Sequence, residues 1–430
     1  MKNKLTVFIL LFLGLSNINS LYGKHLTALK DTAINNKIVY ESMSKRLDSL
    51  LTAFYTNNEF SGSILVAEKG NIIYAKSLGW ADIEHNDTLQ LNTPMPIASI
   101  TKQFTGMAIM ILKEKGLLNY NDDITKYLPE IQQKGITIKH LLHHTSGLDF
   151  NGPSNRAGKT FRYMSKNATL ENGIKLLDKK SLLKAYEKGI PKANFYPPGK
   201  EFRYSNGGYT LLAAIIERVS GLPYWEFMQK HIFEPLNMTQ TFVLRPKVLN
   251  EQKIAYSYFS SVFKGIKKCT PYYDRYKPDK YCVVLDGDKH IYSTVLDMLK
   301  WDQALYTEKL VSKETLKDAF TSGKLNNGKN TEYGFGWELL YAGADSVIMA
   351  HSGGIENYAT GFQRQTDQQR TTIILTNAQP SNMFRVWTGM VDILENKPFR
   401  PYVLKRKNNF IIKLKRKMFK KKVEIKYTSK

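Results

Sequence analysis

Pro96-Ile-Ala-Ser-Ile-Thr-Lys-Gln-Phe-Thr105 sets a serine and a lysine three positions apart at the opening of an amphipathic helix. Residues three apart on a helix share a face, with β-carbons about 5–6 Å apart. Serine is a weak nucleophile at its own pKa, and an amine within reach can take its proton. Ser99 and Lys102 therefore form a candidate nucleophile and base. The motif alone is equally a capping serine followed by an exposed lysine. Partners elsewhere in the chain decide between the two.

Downstream of Ser99, Ile100, Phe104, Met107 and Ile111 recur at helical intervals up to Gly116, a residue suited to a helix C-terminus. Upstream, Gly62-Ser-Ile-Leu-Val-Ala-Glu68 and Asn71-Ile-Ile-Tyr-Ala-Lys-Ser77, split by Lys69-Gly70, predict a β-hairpin. Before it, Ile38, Met43, Leu47, Leu50, Leu51 and Phe54 fall on one helical face. From about 120 to 290 the pattern is helices joined by long loops, the clearest being Tyr209–Ser220, stopped by Gly221 and Pro223. Beyond Tyr292 strand-like runs return at Tyr333–Leu340, Ser346–His351, Ala359–Arg364 and Arg370–Asn377, and a helix over Asn382–Asn396 closes the unit. Strands at both ends around a helical middle predict one discontinuous α/β (α+β) domain, an antiparallel sheet flanked by helices, with a helical domain inserted.

Two further segments supply the groups a lysine-assisted serine needs: a proton shuttle, an amide for substrate, and backbone donors for an oxyanion. Tyr204-Ser205-Asn206 follows the turn-rich Tyr196-Pro-Pro-Gly-Lys-Glu-Phe-Arg203. There Tyr204 is placed to relay a proton, and Asn206 to bond Lys102 or a substrate carbonyl. Alone, the triplet is also a turn capping the next helix. His351-Ser352-Gly353-Gly354 ends a strand-like run, where glycines permit close approach of the backbone. The N–H of Gly354 pairs with that of Ser99 as a candidate oxyanion hole, and His351, Ser352 and Gly353 are candidate substrate contacts. A strand end with a turn is the simpler reading of that segment.

In this order, the three motifs resemble the β-lactamase-related serine hydrolase family, which includes class C β-lactamases, low-molecular-mass DD-peptidases, D-aminopeptidases and esterases. The resemblance covers about residues 36–396 and extends to Ile138-Lys-His-Leu-Leu-His-His-Thr-Ser-Gly-Leu148, Asp288-Lys-His-Ile-Tyr-Ser-Thr294 and Tyr333-Gly-Phe-Gly-Trp337. It implies the β-lactamase/DD-peptidase fold, with an α/β part at about 36–100 and 290–396 and a helical part at about 101–289. It implies that Ser99 is acylated, that Lys102 and Tyr204 manage its proton, and that Asn206 positions substrate and Lys102. Either Lys102 or Tyr204 is then the acylation base. It implies no cofactor. The third motif departs from the Lys-Thr-Gly usual in such β-lactamases: His351 replaces a permanent cation with a group neutral for much of the time near neutrality. The expectation is a hydrolase acting on an amide or ester, foremost a DD-peptidase-like or D-amino-acid peptide hydrolase of the cell envelope. An esterase or a β-lactamase of the same fold is the alternative, and a non-catalytic penicillin- or envelope-binding sensor is the alternative of another class.

Composition agrees with a globular chain: 430 residues, 42% hydrophobic and 23% charged. Lys2 and Lys4 precede an apolar run to Leu15 that is short for a membrane span, so residues 1–23 predict a signal peptide and an exported, periplasmic or envelope-associated protein. Cys269 and Cys282 then sit where a bridge can form. The net charge of +24 invites a nucleic-acid reading, but residues 404–430 supply about 11 of it and interleave Phe410, Ile411, Ile412, Leu414, Met418 and Phe419 with the cations. That mixture in the basic tail, residues 397–430, suits an anionic membrane or envelope polymer rather than nucleic acid. His140, His143 and His144 lack a carboxylate at ligand spacing, and no metal site is expected from them. No Gly-x-Ser-x-Gly elbow and no phosphate-binding loop occurs.

Overall fold

The computed structural model describes residues 39–148, 163–164, 166, 169–171, 174–177, 179–188, 196–245, 253–261, 265–268, 281–283, 286–341, 347–379 and 383–397. The signal-peptide segment 1–23, Cys269 and the 404–430 tail lie outside these residues. Cys282 falls in a short strand, Tyr281–Val283.

Six strands form an antiparallel sheet: β1 (Gly62–Glu68), β2 (Asn71–Leu78), β3 (Glu338–Tyr341), β4 (Val347–Ile355), β5 (Tyr358–Gln365) and β6 (Arg370–Thr376). Their order is β3-β4-β5-β6-β1-β2. The first of these six strands thus lies between its hairpin partner and the last of the six, with Ile64 opposite Ile374 and Leu65 opposite Ile373. Strand side chains alternate between faces, and both faces of β1 are covered. Ile64 and Val66 pack with Met43, Leu47, Leu50, Leu51 and Phe54 of helix α1 (residues 39–56) and with Met383, Val386, Met390 and Ile393 of the closing helix Met383–Leu394. Leu65 and Ala67 face the larger core, which runs into the helical part. The hairpin turn uses Lys69 and Gly70 with φ of 51° and 78°, the left-handed geometry that matches strand twist in a tight hairpin.

Helix α2 (Thr101–Glu114) runs through that larger core, buried on all sides from Thr101 to Leu112. Gly116 follows it with φ of 70°. Helix α3 (Asn206–Ser220) packs on α2 and ends at Gly221, φ 73°. Two sequence expectations change. The run Tyr333–Leu340 is not one strand: residues 333–337 form a turn, and β3 begins at Glu338. The cause is Gly336, φ 81°, where an added β-carbon would stand 2.5 Å from the Lys102 carbonyl carbon. Ser352–Gly354, expected at a strand end, instead continue β4 and pair with Gly361, Thr360 and Ala359.

Candidate active site

Ser99 sits in a single 3-10 turn, Ala98–Ile100, that leads into α2. Ala98 holds φ of 49°, an uncommon conformation for a residue with a β-carbon, of a kind that clusters at functional sites. The turn is held from behind. Gly353 of β4 approaches so closely that an added β-carbon would lie 2.7 Å from the Ile97 carbonyl oxygen and 2.9 Å from the Ala98 β-carbon. The Thr360 hydroxyl of β5 donates to the same Ile97 oxygen at 3.0 Å. Gly353 therefore makes its close approach to the Ser99 turn, whereas Gly354 faces open space. The N-terminus of α2 has no side-chain cap and no acidic residue in its first turn. Its positive dipole end stays uncompensated beside Ser99.

Lys102 is fully buried, and its Nζ meets three acceptors: Asn206 Oδ1 at 2.9 Å, the Asp288 carbonyl oxygen at 2.8 Å and Ser99 Oγ at 3.3 Å. Burial pushes this amine down to about 7, with the Asp288 carboxylate pulling it up and Lys289 pushing it down. The donor count has a chemical consequence. A neutral amine has two N–H bonds and one lone pair. Asn206 Oδ1 and the Asp288 oxygen only accept, so they take the two N–H bonds and the lone pair is left for the Ser99 hydroxyl.

Tyr204 lies in the loop before α3, its ring 4.9 Å from Lys102 Nζ. Its hydroxyl is buried without a hydrogen-bond partner among the described residues. Burial holds its proton well above the usual phenol range, against the pull of the neighbouring Ser99 hydroxyl. The loop is fixed by His144, whose Nδ1 accepts from the Ser205 N–H at 3.0 Å and whose ring lies 4.3 Å from that of Tyr204. Ser205 then caps α3 by accepting from the Gly208 N–H. This places Asn206 at the first turn of α3, aimed at Lys102.

The other histidines of that segment are also committed to the fold. His140 Nδ1 accepts from the Thr137 N–H in a capping box, and His143 Nδ1 donates to the Tyr333 carbonyl at 2.9 Å. Among the described residues no group of His, Cys, Asp or Glu side chains has metal-site geometry.

His351 is buried. Its Nδ1 lies 2.6 Å from the Ser352 carbonyl oxygen, which only accepts, so Nδ1 carries the proton. Nε2 is then the acceptor for the Tyr333 hydroxyl at 2.9 Å. Burial lowers the imidazole to about 3, with Lys102 adding to the effect. The ring is neutral, and both nitrogens are occupied within the protein.

The structure thus brings Ser99, Lys102, Tyr204 and Asn206 together and sets β4 with His351, Ser352, Gly353 and Gly354 alongside. Tyr333, His144 and the Asp288 carbonyl are not singled out as site groups by the sequence. Tyr333, His144 and Asp288 stand in segments that carry the family resemblance, but no spacing rule says which atom of each is used.

A family model described as "Beta-lactamase" matches residues 47–394. Penicillin-binding protein 4* of Bacillus subtilis (strain 168) is 33% identical over 343 residues, covering 79% of this chain and 73% of that protein. Among solved structures, EstCE1, a hydrolase with promiscuous acyltransferase activity, matches with a TM-score of 0.66 at 20% identity, covering 83% of this chain and 99% of that one. D-amino acid amidase from Ochrobactrum anthropi SV3, complexed with L-phenylalanine amide, matches with a TM-score of 0.62 at 18% identity, again covering 83% and 99%. At those identities the structural likeness speaks for the fold.

Proposed function

The chain belongs to the beta-lactamase family, and we propose on that basis that it is a serine hydrolase working through an acyl-enzyme on Ser99. The observation that carries the reading is the amine of Lys102, buried, lowered to about 7 and left with its lone pair toward Ser99 Oγ. A general base near the working pH combines the right protonation state with useful driving force.

In this mechanism Ser99 Oγ attacks the scissile carbonyl carbon while its proton passes to Lys102 Nζ. The carbonyl π-electrons move to oxygen, and the N–H groups of Ser99 and Gly354 receive the oxyanion. The bond to the leaving amine or alcohol then breaks. Tyr204 gives its hydroxyl proton to the leaving group and takes one from the Lys102 ammonium, which restores both. Water, deprotonated in the same way, attacks the acyl-enzyme and releases Ser99. A phenol held well above 10 stays protonated near neutrality and is not available as a base, so of the two candidates Lys102 is assigned as base. Asn206 keeps one Lys102 N–H engaged, and its amide N–H groups are available to a substrate carbonyl.

The substrate class is an amide or peptide with D-residues from the cell wall, and the leader-like residues 1–23 support action at the envelope. A neutral, capped His351 supplies no cation for the carboxylate of a β-lactam, which favours a peptide or ester over a lactam. Fluorescent penicillin, a chromogenic cephalosporin, a p-nitrophenyl ester and a D-alanyl anilide separate the readings. The proposal expects labelling by penicillin and turnover of the anilide or ester far above that of the cephalosporin. Fast cephalosporin turnover would make the protein a lactamase. Absence of both labelling and turnover would leave a binding protein.

A further inference from the structure

Lys102 is a buried amine beside a buried carboxylate, yet its three acceptors, Asn206 Oδ1, the Asp288 carbonyl oxygen and Ser99 Oγ, are all uncharged. Asp288 meets the amine through its main chain at 2.8 Å. Its side chain, 2% exposed, turns instead to Lys289, whose Nζ lies 3.1 Å from Oδ2. Two hydrogen bonds fix this arrangement from α2. The Ile291 N–H donates to the Thr101 hydroxyl at 3.2 Å, and the Thr105 hydroxyl donates to the Gly287 carbonyl at 2.8 Å. The segment 287–291 is thus pinned to α2 on either side of Lys102.

The other titratable groups around the amine are neutral near pH 7. The rings of Tyr204 and Tyr209 lie 4.9 and 5.6 Å from Nζ, and burial holds both phenols above their usual range. His144 and His351 are lowered by burial, with Lys102 adding to the effect. On the 287–291 segment, His290 Nδ1 stands 4.0 Å from Asp288 Oδ1, an oxygen that accepts no hydrogen bond among the described residues. Burial lowers the Lys102 amine, the Asp288 carboxylate pulls it back up and Lys289 pushes it down. An unscreened opposite charge at such range favours the ammonium form, and the more so away from water.

We propose that Lys289 is a positioning residue for the base: by holding the Asp288 carboxylate, it keeps Lys102 a free amine rather than half of a buried ion pair. The statement that this amine is the base rests on the serine-hydrolase reading of the same site; the pairing does not. Without the Lys289 charge, the bare carboxylate holds Lys102 as an ammonium. Without the carboxylate, Lys289 faces Lys102 alone and drives it neutral. Without both, burial alone acts. Two adjacent residues then move one amine in opposite directions, which a role in packing alone does not produce.

The test reads the amine itself, by nuclear magnetic resonance of protein carrying lysine labelled with carbon-13 at Cε. The Lys102 signal is the one missing from Lys102→Met, and its shift is followed from pH 5 to 9. The wild-type midpoint is expected at about 7. Lys289→Met should raise it by at least about half a pH unit, Asp288→Asn should lower it, and the double variant should return toward the wild-type value. Lys289→Arg, which keeps the cation, should stay near wild type. Should Lys289→Met not fold, Lys289→Gln is read in its place. A midpoint that stays or falls when the Lys289 charge is removed overturns the proposal, and so does a Lys289→Arg midpoint equal to that of the neutral variant. Acyl labelling of the wild-type protein reads the other claim. Midpoints in the expected order without labelling contradict the serine chemistry and uphold the pairing, whereas labelling with an unmoved midpoint contradicts the pairing alone.

Discussion

Whether Ser99 can be deprotonated depends on the charge of one amine. At an ordinary lysine pKa only about one amine in three thousand is neutral at pH 7, whereas at about 7 half are. On the proposed mechanism the base acts in its deprotonated form, so the rate of acylation is expected to rise as pH climbs through about 7 and to level above it. Single-turnover labelling across pH 5–9 reads this directly. Lys102→Met is expected to lower the rate by about 10²–10⁴ and to remove the inflection near 7. An inflection that persists in Lys102→Met would assign it to another group. Ser99, Lys102, Tyr204 and Asn206 were legible in the sequence because each pairs a reactive type with a local spacing. Tyr333 was not. Tyr333 reaches the site because β4 brings His351 to it.

Two short elements carry the geometry, and both turn on a glycine. Gly353 lets β4 lie against Ile97 and Ala98, and so holds the turn that presents Ser99. An added β-carbon there would stand 2.2 Å from Thr360 Oγ1 as well as 2.7 Å from the Ile97 oxygen. Gly353→Ala is therefore expected to destabilise the fold by about 1–3 kcal/mol, the usual range for overpacking. It should also slow acylation, because the Ser99 turn must move. Thermal unfolding together with the labelling rate checks both. Gly354→Ala, with open space around it, should leave the melting temperature within about 1 °C, since such surface changes lie within about 0.5 kcal/mol. Equal effects of the two substitutions would contradict this account. Both glycines stand out in the sequence, but the apolar run ends before them. The stretch from Tyr333 to β3 is ambiguous too, since alternating Gly and aromatic residues suit strand and turn equally. Long-range contact with Lys102 decides for the turn.

Across the whole molecule, the sheet closes the chain on itself. β1 lies beside β6, and the helices nearest the two ends of the described chain share one apolar layer over the sheet. That much followed from strand-like runs at both ends of a helical middle. What did not follow was how close the approaches are, because van der Waals contact between distant segments leaves no periodic mark in a sequence. The stretch of β4 beyond its pairing with β3 and the start of α2 then meet at Ser99, so the claim about the whole fold reduces to a claim about one oxygen. Intact-mass measurement after exposure to a β-lactam or an activated ester tests it most directly. The account predicts one acyl adduct per wild-type chain, mapped to the peptide holding Ser99, and none on Ser99→Ala with an unchanged melting profile. An adduct of equal yield on Ser99→Ala, or one mapped to another residue of the wild-type chain, would contradict it.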